Sequence, residues 1–169
     1  MGLIHGAGHV EHGQEHGHNN GANHKAHEHD HERLDHLLEE FQAVKACSYS
    51  EAKRYFGEFK TGLLHHIKLE EDILFPWFET KAGMANLGPT VAMRLEHRQI
   101  EAALEKLRQR VDREDPESDE EETALFSILE GHNRKEESIL YPILDQMTSK
   151  EEREVIFERI DKFRRMNVS

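Results

Sequence analysis

The chain has 169 residues, with 34 acidic against 22 basic side chains, a formal net charge of -12 and a pI near 5.6. That is one small domain's worth of sequence, and its acidity disfavours nucleic-acid phosphates and anionic lipid headgroups as partners. Apolar residues make up 36% and charged residues 33%, so a core forms only if each element is strongly amphipathic.

Nine of the 14 histidines and six of the 11 glycines fall within residues 1–31. Up to about Lys25 there is no apolar period, so ordering the segment would cost conformational entropy with nothing to bury. Residues 1–25 are therefore expected to form a disordered His/Gly-rich tail. Its spaced imidazoles, His5, His9, His12, His16 and His18, offer weak capture of Zn, Cu, Ni or Fe without fixed geometry; a solvated tail with no role is the alternative. The N-terminus lacks the apolar stretch of a secretory signal. The longest strongly apolar run, Ile73 to Phe78, is broken by Pro76, whereas a membrane helix needs ~20 apolar residues. The single cysteine, Cys47, cannot close an intrachain disulfide. The expectation is a soluble, cytoplasmic protein that binds neither nucleic acid nor membrane.

From about His27 the pattern turns helical, rich in Glu, Lys, Arg, Leu and Ala. Cys47 to Ser50 separates the first helix from the second, Gly83 to Pro89 the second from the third, and Asp112 to Ser118 the third from the fourth. Pro89 suits a helix's first turn, and Ser149 with Glu152 three residues on has capping-box form at the start of a fifth helix. These elements predict an all-α domain over residues 26–169: an antiparallel up-down four-helix bundle with a short additional C-terminal helix that presents Ile156, Ile160 and Phe163 on one face.

Self-comparison reveals an internal repeat. His31, His66, His97 and His132 are separated by 35, 31 and 35 residues, so two copies differ by 66. His31, Leu34, Asp35, Leu38 and Phe41 superpose on His97, Ile100, Glu101, Leu104 and Leu107. His66, Glu70, Glu71, Ile73, Leu74, Phe75 and Pro76 superpose on His132, Glu136, Glu137, Ile139, Leu140, Tyr141 and Pro142, identical at six of the seven positions. A helix hairpin repeated this way can pair with its copy about a pseudo-two-fold axis, bringing equivalent residues together at a central site.

Helical spacing puts each histidine on an apolar face. The second helix reads Phe56, Phe59, Leu63, His66, Glu70, Ile73 and Trp77; the fourth reads Leu125, Leu129, His132, Glu136, Ile139 and Ile143; His31 and His97 head stripes on the first and third. A lone histidine on an apolar face is usually a hydrogen-bonded core residue, but here that reading must hold four times, each with a carboxylate four residues on: Asp35, Glu70, Glu101 and Glu136. Buried imidazoles and carboxylates need a compensating partner, which points to metal. Without core cysteines, imidazole plus carboxylate suits Fe or Mn, with Zn as an alternative.

His31, then His66 with Glu70 before Ile73-Leu74-Phe75-Pro76, then His97, then His132 with Glu136 before Leu140-Tyr141-Pro142, resembles the hemerythrin-like (HHE) cation-binding family over roughly residues 27–147. The resemblance implies a non-haem di-iron centre: two Fe ions, oxo- or hydroxo-bridged, with Glu70 and Glu136 bridging and the four histidines as terminal ligands. Unlike the oxygen carriers, the third helix carries Glu101 in place of a second histidine. Both Glu136 and Glu137 are acidic, and Glu136 is taken as the ligand because it lies on the stripe. Glu101 is expected to reach a metal and the shorter Asp35 to orient His31, which makes the ligand set His31, His66, Glu70, His97, Glu101, His132 and Glu136. The added carboxylate would favour ferric iron and disfavour reversible O2 release. The family's iron–sulfur repair members carry an extra cysteine-containing N-terminal segment, whereas no cysteine precedes Cys47 in this sequence, so a repair role is less expected.

The function these residues imply is binding or sensing of a small diatomic or peroxide, O2, NO or peroxide itself, at the di-iron centre. The alternatives are an oxidoreductase acting on NO or peroxide, and iron or zinc homeostasis using the His-rich tail.

Overall fold

The computed structural model describes residues 22–85 and 87–166, with side chains from residue 29 onward. Residues 1–21, which hold most of the expected tail and its five spaced histidines, lie outside the described residues. No strand occurs among those described; the fold is an all-helical bundle. It runs α1 (Ala22–Val44), α2 (Tyr49–Leu69), α3 (Phe75–Ala82), α4 (Pro89–Asp112), α5 (Asp119–Lys135), α6 (Tyr141–Met147) and α7 (Lys150–Met166). No helix among the described residues is long and apolar enough to cross a membrane.

α1 starts earlier than the apolar pattern predicts, because Ala22, Lys25, Ala26 and Glu28 are good helix formers. The other boundaries match the punctuation of the sequence. Gly83 closes α3 with φ 64, the left-handed conformation that glycine adopts without steric cost, and Pro89 opens α4. The α7 cap is reciprocal: Ser149 N donates to Glu152 Oε2 at 2.9 Å and Glu152 N donates to Ser149 Oγ at 3.2 Å. Beyond it, Ile156 and Ile160 are buried and Phe163 packs partly against the same core.

Two places depart from regular helix, and they are equivalent in the repeat. Glu70–Leu74 joins α2 to α3 and Glu136–Leu140 joins α5 to α6, each as a π-helical turn in which Phe75 N–H reaches back to Glu70 O and Tyr141 N–H to Glu136 O. Pro76 and Pro142 come immediately after. In a regular helix their rings would press on the carbonyls of Asp72 and Ser138, four residues back, and the wider turn makes room for them. Each π turn adds a residue, which rotates the next helical segment by about 100°. The buried face therefore passes from Glu70 to Leu74, Phe75 and Phe78, and from Glu136 to Leu140, Tyr141 and Leu144. The expected continuation through Ile73, Trp77, Ile139 and Ile143 is corrected: Ile139 is 47% exposed and the other three are only partly buried.

α1 packs along α2 and α4 along α5, with α2 against α4. Gly62 brings α1 and α2 close, since a Cβ there would lie 2.8 Å from Leu34 Cδ2. The apolar interior divides in two. One cluster joins Leu34, Leu38, Phe41, Phe56, Phe59, Ile100, Leu104 and Leu125; the other joins Leu69, Leu74, Phe75, Met93, Leu140, Tyr141, Ile156 and Ile160. On α2 and α4 the histidine lies near the passage from one cluster to the other, and on α5 His132 comes after Leu129, the last residue of that helix in the first cluster, so the polar residues form a layer between two apolar plugs.

Candidate metal centre

That layer holds six fully or almost fully buried side chains: His31, His66, Glu70, His97, His132 and Glu136, none more than 4% exposed. Burying so many ionisable groups is unfavourable unless they compensate one another or a cation compensates them. Their donor atoms gather into two sets within 4.8 Å, Glu70 with His97, His132 and Glu136, and His31 with His66 and Glu136.

The histidines come as pairs. His31 Nε2 and His66 Nε2 are 3.1 Å apart, and so are His97 Nε2 and His132 Nε2. Two donors at ~2.1 Å from one ion and at right angles to each other are about 3.0 Å apart, so each pair has the spacing of neighbouring ligands on a single cation. The carboxylates lie between the pairs. Glu70 offers Oε1 to His66 at 3.6 Å and Oε2 to His97 at 3.2 Å; Glu136 offers Oε2 to His31 at 3.3 Å and Oε1 to His132 at 3.0 Å. One oxygen of each glutamate therefore faces each histidine pair.

Every histidine is also held from behind. Nδ1 of His31 bonds Glu137 Oε1 at 2.8 Å, Nδ1 of His66 bonds Asp30 Oδ2 at 3.0 Å, Nδ1 of His97 bonds Glu71 Oε1 at 2.8 Å, and Nδ1 of His132 bonds Glu96 Oε2 at 3.0 Å. A carboxylate only accepts, so in neutral imidazole the proton sits on Nδ1 and the Nε2 lone pair points inward, as a metal ligand requires. Arg98 and Lys135 in turn anchor Glu71 and Glu96. Sequence reasoning missed Asp30, Glu71 and Glu96 and gave Glu137 no such role, although the signal was present. Asp30 and Glu96, like Glu71 and Glu137, are 66 residues apart and belong to the same repeat.

The structure brings together six of the seven expected ligands. Glu101 is corrected: its Oε2 accepts from Arg98 Nη1 at 2.7 Å and its side chain is 34% exposed. On α4 the buried position after His97 is Ile100, three residues on, just as Leu34 comes after His31 on α1. Only α2 and α5 turn a carboxylate inward at plus four. The expected bias toward ferric iron, which rested on Glu101, loses its basis. Asp35 is half-buried, and the orienting bond to His31 comes from Glu137 instead.

This packing sets the electrostatics. Burial opposes charge on His132, yet the hydrogen bond and charge of Glu136, with Glu70 and Glu96, push it up to about 9. Burial also opposes charge on His66, and Glu70, Asp30 and Glu136 hold it well above the usual imidazole range. Burial would raise Glu136, but bonds from His132, His31 and His66 hold its carboxyl well below the usual range.

Two buried carboxylate oxygens, Glu70 Oε2 and Glu136 Oε1, face the His97/His132 pair, with only its imidazole nitrogens beside them, at 3.2 and 3.0 Å. A buried carboxylate oxygen beside inward-facing imidazole nitrogens is what a cation would satisfy, so the donor set fits a metal.

The profile of the hemerythrin HHE cation-binding domain matches residues 22–144, most of the chain. The chain belongs to the hemerythrin HHE cation-binding family. The match begins at the first residue of α1 and ends within α6, so the hemerythrin domain takes in both hairpins of the repeat and leaves α7 outside. No match emerges from the curated proteins or from the solved structures.

Proposed function

We propose that this hemerythrin-family chain, with α1, α2, α4 and α5 as an antiparallel up-down four-helix bundle, holds two iron ions and through them binds or senses O2, NO or peroxide. The observation that carries the reading is that Glu70 and Glu136 each direct one oxygen to each histidine pair, the arrangement of bridging ligands between two cations. Imidazole and carboxylate without thiolate favour iron over soft metals. Bound iron would supply electrons and a coordination place for the small molecule.

The chain's own residues set the conditions. His31, His66, His97 and His132 would hold the ions, with their outer carboxylates keeping each Nε2 aimed inward. The two apolar clusters exclude water from either end of the layer. With Glu101 paired to Arg98, six side chains cannot saturate two six-coordinate ions, which leaves places for an incoming ligand. Between His31, His66 and His132 there is a space of only about 10 Å³, so a ligand would have to displace side chains to enter there, and His31, Asp35 and Asn133 line an open surface cleft of about 370 Å³.

Metal analysis and visible absorption of the purified protein test the proposal. Two irons per chain, with a spectrum that shifts on adding azide to the oxidised protein or NO to the reduced protein, is the expected result. Zinc alone, or a core that takes up no cation, overturns it.

A further inference from the structure

Among the seven aligned positions from His132 to Pro142, the one that breaks identity is Tyr141, which stands where the first copy has Phe75. Both side chains are fully buried against the metal layer. Phe75 lies flat against His97, with ring centroids 5.4 Å apart and planes within 12°. Tyr141 instead carries a hydroxyl into the layer: Oη donates to Glu70 Oε1 at 2.6 Å and lies 3.2 Å from Glu136 Oε2. These are the two oxygens that face His66 and His31. Their opposite numbers, Glu70 Oε2 and Glu136 Oε1, face His97 and His132 at 3.2 and 3.0 Å, and no hydroxyl bonds them. A lone pair engaged by a phenol is less available to a cation, so the pseudo-symmetric site has one half whose carboxylate oxygens face only imidazoles and one half in which a phenol bonds Glu70 Oε1 and stands beside Glu136 Oε2.

Resting on the two-cation reading above, we propose that Tyr141 makes the two positions unequal: the His97/His132 position fills first and retains its ion, and the His31/His66 position binds more weakly and exchanges. The weaker position is also the one nearer solvent, since His31, alone among the four histidines, lines the surface cleft. Tyr141 acts here as a positioning residue, through Glu70 and Glu136.

The test is titration of the metal-free full chain with Co2+, following its absorption and competing with a chelator to obtain each dissociation constant. Any contribution from the tail's histidines is common to all variants. The parent should show two core steps whose constants differ about ten- to a hundredfold, the usual effect of a group that acts on a metal ligand, and Tyr141→Phe should bring them within about threefold. His97→Gln should remove the tight step, whereas His31→Gln should remove the weak step and leave the tight one. Far-UV circular dichroism monitors folding, and if Tyr141→Phe does not fold, the two histidine variants still decide the order of filling. Equal steps in the parent, an unchanged spread in Tyr141→Phe, or loss of the tight step in His31→Gln would overturn the inequality while leaving the two-cation reading in place. Absence of any core step in the parent would overturn both.

Discussion

Stripping the cations from this protein and raising the pH should weaken the fold in a window where most proteins are indifferent to pH. In the metal-free layer His132 keeps its proton up to about 9, against about 6.5 in the unfolded chain. Its folded value is raised, so the stability it contributes is fully present below about pH 6.5 and is lost as pH climbs through about 9. The shift corresponds to on the order of 3 kcal/mol at about 1.4 kcal/mol per unit, a large share of the ~5–15 kcal/mol that holds a domain together. His66 and His31 are displaced in the same direction, by burial opposed and outweighed by the surrounding carboxylates, and add to the slope. Cations reverse the dependence. They take the Nε2 positions from the protons, and their affinity rises as the imidazoles deprotonate. At a free concentration a thousandfold above Kd, a bound ion adds about 4 kcal/mol. The assay is urea denaturation monitored by circular dichroism, on metal-free and loaded protein, at pH 6, 7.5 and 9. The metal-free midpoint should fall across the series, the loaded midpoint should hold or rise, and His132→Gln should flatten the metal-free slope. A metal-free midpoint that is level or rising from pH 6 to 9 would refute the idea that protons stand in for cations here.

The remaining predictions concern residues around the layer. Glu101→Ala should leave cation content intact and change stability by no more than about 0.5 kcal/mol, as for a surface residue; loss of a bound equivalent on metal analysis would restore Glu101 to the ligand set. Glu137→Gln and Glu71→Gln, which weaken the bonds that aim His31 and His97, should each lower one cation affinity about ten- to a hundredfold with helix content unchanged. Unaltered affinities in chelator competition would mean the imidazoles are held by packing alone. Ser149→Ala should cost about 1 kcal/mol at the α7 cap, seen as faster hydrogen exchange of the α7 amides, and should not alter cation content.

Much of the site was legible because a repeat leaves two records of the same constraint. The 66-residue offset singled out four histidines and the Glu70/Glu136 pair, and helical spacing placed them on apolar faces, because local periodicity and side-chain direction are properties of a single helix. The same offset contained Asp30, Glu71, Glu96 and Glu137, but their role depends on which carboxylate of one helix lies behind which imidazole of another, and no periodicity within a helix encodes that. The π turns were equally hidden. Pro76 and Pro142 signal a disturbance, yet only the assembled bundle decides that one extra residue is accommodated there, turning Leu74 and Leu140 inward in place of Ile73 and Ile139. Glu101 shows the converse: its plus-four spacing is indistinguishable from that of Glu70, and the difference arises because α4 buries Ile100 while Arg98 draws the carboxylate outward. The exchange of Phe75 for Tyr141 is a single oxygen atom in the sequence, and its position against Glu70 and Glu136 comes from the packing of α6 beside the first π turn. Sequence thus determined which residues belong to the layer, through local periodicity and repetition, whereas tertiary packing decided which atoms face one another, because those contacts join helices far apart in the chain.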